Sequence, residues 1–415
     1  MTDSAQALPA RSVPQLHVET RAIDQVTSLL PILDARKPLL FVRRGDGIAG
    51  FGEALRLEFH GPDRIRGAAD AWRTISAAAT VTDPVGLSGT GLVAFGAFTF
   101  DDESERASVL IVPEVIVGRR DGTSWVTRVN GSELKLAKLP LGAEYRIALH
   151  QGTLDGEGYK AAVTEAVRRI RAGELSKVVL ARDLIGHLPE GADLRRVLVD
   201  LALGYPDTWT FAVDGLLGSS PETLVRVNHG IVTARVLAGS IGRGSDAEAD
   251  QANALALATS TKDLDEHRFA VQSVLSSLSG HATGVVSSEL PFALKLPNLW
   301  HLASDVEGTL SDGSTALDLA AALHPTAAVA GAPTAAAVGV IRELEPIDRR
   351  RYGGPVGWVD ASGCGKWAVA LRSAEVTADG GITAYAGAGI VADSDPEREL
   401  AETRLKFRPI VEAFG

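Results

Sequence analysis

The rhythm of hydrophobic and polar positions along this chain changes at Tyr159. Between Pro38 and Leu149, short apolar runs alternate with turn residues: Leu39-Leu40-Phe41-Val42, Leu92-Val93-Ala94-Phe95, Val109-Leu110-Ile111-Val112 and Trp125-Val126-Thr127-Arg128-Val129. Runs of this length at hairpin spacing predict strands, and helical periodicity is confined to Pro62 to Ala79. From Tyr159 onward the period lengthens. Tyr159, Ala162, Val163, Ala166, Val167 and Ile170 recur at three- and four-residue steps, one face of an amphipathic helix that Gly173 is placed to end. Lys177-Val178-Val179-Leu180-Ala181 then predicts a strand.

The alternation continues to the end of the chain. Helices are predicted over Ala192 to Leu203, Ala247 to Leu278, Ala316 to Leu323 and Thr334 to Leu344. Strands are predicted at Phe211–Val213, Leu224–Val227, Ile231–Ala234, Trp367–Leu371 and Ile382–Tyr385. Several strands are joined by tight turns such as Asn228-His229-Gly230 and Asp379-Gly380-Gly381, which favours antiparallel sheets packed with helices, an α+β fold, over a doubly wound parallel sheet. No repeat and no long linker divides the chain. One composite domain over residues 21–415 is expected, strand-rich from about 21 to 150 and carrying the chemistry from about 156 to 415. Residues 1–20, and Met1 to Leu16 in particular, are expected to form a frayed tail.

Composition narrows the partners. The chain has 415 residues and a net charge of -11, which argues against nucleic acid, because phosphate-backbone binding needs clustered Lys and Arg. A small anion is still compatible, since a bound cation and a few buried bases reverse the local field. The single cysteine, Cys364, allows no internal disulfide, as suits a reducing cytoplasm. The first residues lack the basic start and apolar core of a signal peptide. The alanine-rich stretch from Ala316 to Ile341 is interrupted by Asp318, His324, Pro325 and Pro333, so a membrane span is not expected.

Five places carry candidate chemistry, and three of them have a plain structural reading beside the functional one. Near the C-terminus, Pro396 suits the first position of a helix capped by Ser394 or Asp395. On that helix Glu399, Glu402 and Lys406 share a face, which is either a surface Glu-Lys pair or a carboxylate pair able to hold a hard cation such as Mg2+. Asp263 and Glu266 repeat the one-turn carboxylate spacing on a helix capped by Ser260 or Thr261. Lys177 stands at the mouth of an apolar strand, where it is a solvated flank or a buried amine that acts as a base. Glu222, in Ser220-Pro221-Glu222, is an ordinary turn carboxylate or a protonated acid. Leu237-Ala238-Gly239-Ser240 reads as a small-residue turn whose amides can approach a ligand.

Taken together and in order, Lys177, Glu222, Asp263 and Glu266, His301, Arg372, Gly387 and Gly389, Glu399 and Glu402, and Lys406 resemble the chorismate-utilising enzymes. The resemblance runs from about Gly156 to the C-terminus. It implies large antiparallel sheets packed as a sandwich with helices outside, chorismate as substrate and Mg2+ as cofactor. By position it makes Lys177 the base that activates water for attack at C2, and Glu222 the acid that protonates the departing C4 hydroxyl. Glu266, Glu399 and Glu402 would be the metal ligands, with Asp263 assisting. Arg372 and Lys406 would clamp carboxylates, Lys406 in place of pairing with Glu402. Tyr352, Gly239, Ser240, Gly387 and Gly389 would line the pocket, with His301 beside the enolpyruvyl ether. A lysine at 177 implies water rather than ammonia as nucleophile, hence no glutamine amidotransferase subunit, and a monomer is expected. Ala328-Val329 matches the isochorismate synthases of the family. Salicylate formation with loss of pyruvate, and a non-catalytic chorismate-binding role, stay open as alternatives.

Overall fold

The computed structural model describes residues 13–135 and 137–415. Two sheets, of 13 and 10 strands, pack face to face. Pairing is antiparallel almost throughout; the parallel exception joins His17–Glu19 to Thr80–Thr82. Both sheets draw strands from both halves of the chain. The larger combines Leu39–Arg43 with Trp209–Val213 in direct pairing, and the smaller combines Val93–Ala97 with Pro355–Asp360. Strands from the two halves are therefore interleaved in both sheets.

Strand alternation explains the layer between the sheets. Phe41, Trp209 and Phe211 point inward from the larger sheet and meet Phe95, Val356, Trp358 and Ala368 from the smaller. Helices cover the outer faces. The C-terminal helix Pro396–Phe414 lays Phe407, Ile410 and Phe414 on the larger sheet against Ile382, Ala384 and Ala386. Each of those side chains contributes about 1.5–3 kcal/mol relative to exposure. Helices Gly156–Arg171 and Ala316–Leu323 contribute apolar stripes to the other large cluster. Gly173, at φ +81, ends the first of them, as its position predicts.

The structure departs from the sequence reading in five places. The tail expected over residues 1–20 ends early: His17–Ile23 is a strand that pairs with Thr123–Val129, because Leu16, Val18 and Thr20 alternate into the core. The part of the tail before residue 13 lies outside the described residues. The helical run from Ala247 to Leu278 is two helices, Ala247–Thr259 and Thr261–Leu278. Ser260 takes extended backbone between them, and its side chain accepts from the Asp263 amide, so a capping residue inside an apolar periodicity split the run. The helix expected from Ala192 starts at Arg195, where Asp193 holds the Arg195 amide and guanidinium. The strand expected to reach Leu371 stops at Val369, and Leu237–Ser240 is a bulge within the strand Ile231–Gly242 instead of a turn.

Candidate active site

Two crossovers between the sheets create the site. The chain leaves the larger sheet after Leu216–Ser220, passes through Pro221-Glu222, and enters the smaller sheet at Thr223–Asn228. It returns from the strand Gly365–Val369 to Ser373–Val376 through Ala370-Leu371-Arg372. The crossovers are stitched to each other: the Val369 amide donates to the Glu222 carbonyl at 3.2 Å, and the Ser219 amide to the Arg372 carbonyl at 3.0 Å. Arg372 sits at φ +50, a left-handed backbone that a non-glycine residue adopts only when its surroundings hold it there.

Where the sheets part lies a cavity that opens to solvent. Of the residues singled out in the sequence, Glu222, Gly239, Ser240, Glu266, His301 and Ala328 line it. So do Val329, Tyr352, Arg372, Gly387, Gly389, Glu402 and Lys406. Lys177, Asp263 and Glu399 do not; they stand behind the first layer. Lys177 is fully buried, its Nζ 3.0 Å from Glu266 Oε1. It begins the strand Lys177–His187, whose pairing with Gly381–Ile390 sets Val179 opposite Gly389 and Ala181 opposite Gly387. That register brings the glycine-rich run beside the lysine. A Cβ on Gly389 would lie 2.3 Å from Glu266 Oε1 and 3.1 Å from Lys177 Cε, so only glycine leaves room for this pair.

The charges are not neutralised in an ordinary way. Burial pushes the Glu222 carboxyl up to about 8, against the pull of Lys177, Arg372 and Lys406, so at neutral pH it is largely protonated. Burial, followed by the adjoining Glu402, raises Glu399. Glu402 is also penalised by burial, yet the Lys406 ammonium at 2.6 Å and the Ser240 hydroxyl at 2.8 Å hold it below the usual range. Lys406 thus pairs with Glu402 here, the contact the family resemblance had set aside, while also donating to the Gly387 carbonyl at 2.9 Å. His301 is kept neutral, first by burial and then by Arg372 and Lys406. Its partners assign the tautomer: Nδ1–H donates to the Gly239 carbonyl at 3.2 Å, and Nε2 accepts from Arg372 Nη2 at 3.0 Å. Gly239, at φ +80 in the bulge, turns that carbonyl toward the histidine.

The carboxylates expected to bind metal converge without forming a ready cluster. Among the described residues no group of three His, Cys, Asp or Glu is arranged to hold an ion. Glu266 is occupied by Lys177, Glu399 by Lys262 at 3.0 Å, and Glu402 by Lys406. The donor set nevertheless suits a hard cation. Glu399 Oε2 is buried with no hydrogen-bond partner beside the Glu402 carboxylate, and clustered carboxylate oxygens are the ordinary ligands of Mg2+. Asp263, raised chiefly by burial, stands nearby with its Cβ close to Gly239.

Three working residues escaped the sequence reading. Lys262 supplies the counter-charge to Glu399. Buried Arg349 pairs with Glu345 and donates to the carbonyls of Val179 at 2.6 Å and Val329 at 3.0 Å, bracing one wall of the cavity. His267 bridges the Ala238 carbonyl and the Ser304 hydroxyl beneath the bulge. The four-residue spacing of Glu345 and Arg349 was a signal, but a helical spacing in a segment with no helical pattern carries no weight by itself.

The gap between the two antiparallel sheets thus gathers a buried acid, a buried lysine, Arg372 and Lys406, the features of an enzyme's pocket. The chain belongs to the chorismate binding enzyme family, whose model matches residues 4–135 and 132–415. It is 42% identical over 271 residues to the isochorismate synthase DhbC of Bacillus subtilis, covering 62% of this chain and 68% of that one. It is 32% identical over 417 residues to the salicylate biosynthesis isochorismate synthase of Pseudomonas aeruginosa, covering 92% and 86%. The solved structure of a DhbC protein from Bacillus anthracis superposes with a TM-score of 0.78 at 32% identity, over 93% of this chain and 98% of that one. No helix among the described residues is long and apolar enough to cross a membrane.

Proposed function

We propose that this protein is an isochorismate synthase, converting chorismate reversibly to isochorismate. The observation that carries the reading is Glu222: a carboxyl held protonated near neutral pH on the wall of a cavity that also presents Arg372 and Lys406. A dianionic substrate matches Arg372 and Lys406, and an acid beside it matches a departing hydroxyl. In this reading Glu222 gives its proton to the C4 hydroxyl, which leaves as water. A second water attacks C2 and gives up a proton, with Lys177 as the base, while the ring double bonds shift. One water enters and one leaves, so the product is an isomer. Glu266, 3.0 Å from Lys177 Nζ, balances the charge of the protonated base.

Arg372 and Lys406 hold the substrate carboxylates, and neutral His301 sits beside the enolpyruvyl ether. Gly239, Gly387 and Gly389 let the ring approach the backbone, and Tyr352 closes the pocket with Ala328 and Val329. Glu266, Glu399 and Glu402 would hold Mg2+, assisted by Asp263; the ion would supply positive charge against the ring carboxylate. With water as nucleophile no amidotransferase partner is required. The test is product analysis: purified protein, chorismate and Mg2+, with products resolved by chromatography. Isochorismate is the expected product. Salicylate with pyruvate, or unaltered chorismate, would overturn the assignment.

A further inference from the structure

Away from this cavity, four cations gather without an ion pair of their own among the described residues, although Asp46, Asp121, Asp207, Asp305 and Asp360 stand within reach of their field. Trp209 faces the layer between the sheets; Lys366 Nζ lies 5.2 Å and Arg43 Cζ 5.4 Å from its ring centroid. Arg226 stands directly opposite Lys366 on the neighbouring strand, an arrangement in which like charges repel. Arg120 ends the strand Val115–Arg120, near enough that Arg226 is the charge it feels most. Two of the four come from each sheet. All are half-buried. The neighbouring Arg44, Arg119 and Arg235 are each matched by an aspartate: Asp207, Asp46 and Asp305. Arg43, Arg120, Arg226 and Lys366 make no ion pair among the described residues, and Arg226 Nε is buried with no hydrogen-bond partner at all. Burial and then the three arginines push the Lys366 ammonium down to about 7. None of these residues lines the catalytic cavity.

Such a cluster costs stability unless something completes it. We propose that Arg43, Arg120, Arg226 and Lys366 form a second ligand site, which takes inorganic phosphate or the phosphate group of a small phosphorylated molecule. Phosphate suits the cluster better than a carboxylate does. The three guanidinium groups stand on three different strands, and a planar carboxylate offers only two oxygens to them, whereas a doubly charged phosphate offers more and balances more of the charge. A nucleic acid backbone is disfavoured by the half-buried position between sheets and by the net charge of -11.

Isothermal titration of the full chain with inorganic phosphate, at ionic strength held constant with chloride, tests this. The wild type is expected to bind saturably, and Arg226→Met/Lys366→Met to bind at least tenfold more weakly. Thermal melts should agree: phosphate raises the wild-type midpoint and leaves the double variant's unmoved. In phosphate-free buffer the double variant should melt no lower than the wild type, since repulsion has been removed. Lys366→Gln serves if the double variant does not fold. Absence of saturable binding to the wild type overturns the proposal without any variant. Undiminished affinity in the variants overturns it too, by placing the phosphate elsewhere, for example at Arg372 and Lys406. Citrate binding where phosphate does not would overturn the choice of phosphate.

Discussion

Replacing Glu222 by glutamine should stabilise this protein in alkaline solution while disabling it. Its carboxyl lies at about 8 in the fold, against an ordinary 4.5, and burial is the main cause. The raised value means that the folded state holds a proton which the unfolded state has already released between those two pH values. The unfolded state binds fewer protons there, so stability falls as pH rises from about 4.5 to about 8, and the full cost is present above that range. At 1.36 kcal/mol per unit the gap corresponds to on the order of 5 kcal/mol above pH 8, and to roughly 3 kcal/mol at pH 7. Glutamine keeps the shape and cannot ionise. Urea unfolding of wild type and Glu222→Gln from pH 5 to 9 reads the difference. The curves should lie close together near pH 5 and diverge with rising pH, the variant becoming the more stable. Parallel curves would refute the claim that Glu222 is buried as a neutral acid. Turnover supplies the second half of the test: the variant should lose about 10^2- to 10^4-fold in kcat at every pH. The wild-type rate should decline as pH passes about 8.

Other expectations follow from the same geometry. Lys177→Ala should lower kcat by about 10^2-fold or more with its circular dichroism spectrum retained, and near-normal turnover would remove Lys177 from the mechanism. Gly389→Ala drives a methyl against Glu266 Oε1 and Lys177 Cε, so kcat should fall although no functional group is lost; unchanged kinetics would show that the pair is not tightly held. Chelation should abolish turnover and Mg2+ restore it. Direct titration should show Mg2+ affinity reduced in Glu399→Gln, and equal affinity would exclude that residue as a ligand. Phe414→Ala should destabilise the fold by about 3–5 kcal/mol in urea, because Phe414 is almost fully buried at the helix end against the larger sheet.

Local rules carried much of the architecture. The two- and three-to-four-residue periods located the strands and helices, and Asp395 and Ser260 cap their helices as their side-chain chemistry predicts. Where local reading failed, a long-range contact had intervened. The strand at His17 exists because the strand Thr123–Val129 offers its edge, and the strand after Trp367 ends at Val369 because the chain must cross between sheets.

Which chemical groups are present, their order, and the helix and strand faces that carry them can be read along the chain. So can the small residues around Gly239, Gly387 and Gly389. The state those groups are in depends on how the sheets pack. Whether Lys177 is a solvated flank or a buried amine depends on a strand register 200 residues away in the chain, and on a glycine that leaves it space. Glu222 is an acid at neutral pH because the crossover removes it from water, a desolvation that no neighbouring residue in the sequence encodes. The same reason hid Lys262 and Arg349, whose partners Glu399, Val179 and Val329 come from separate elements. It also hid the unpaired cations around Trp209. Charge is written in the sequence, but burial and the identity of the counter-charge are properties of the packed sheets.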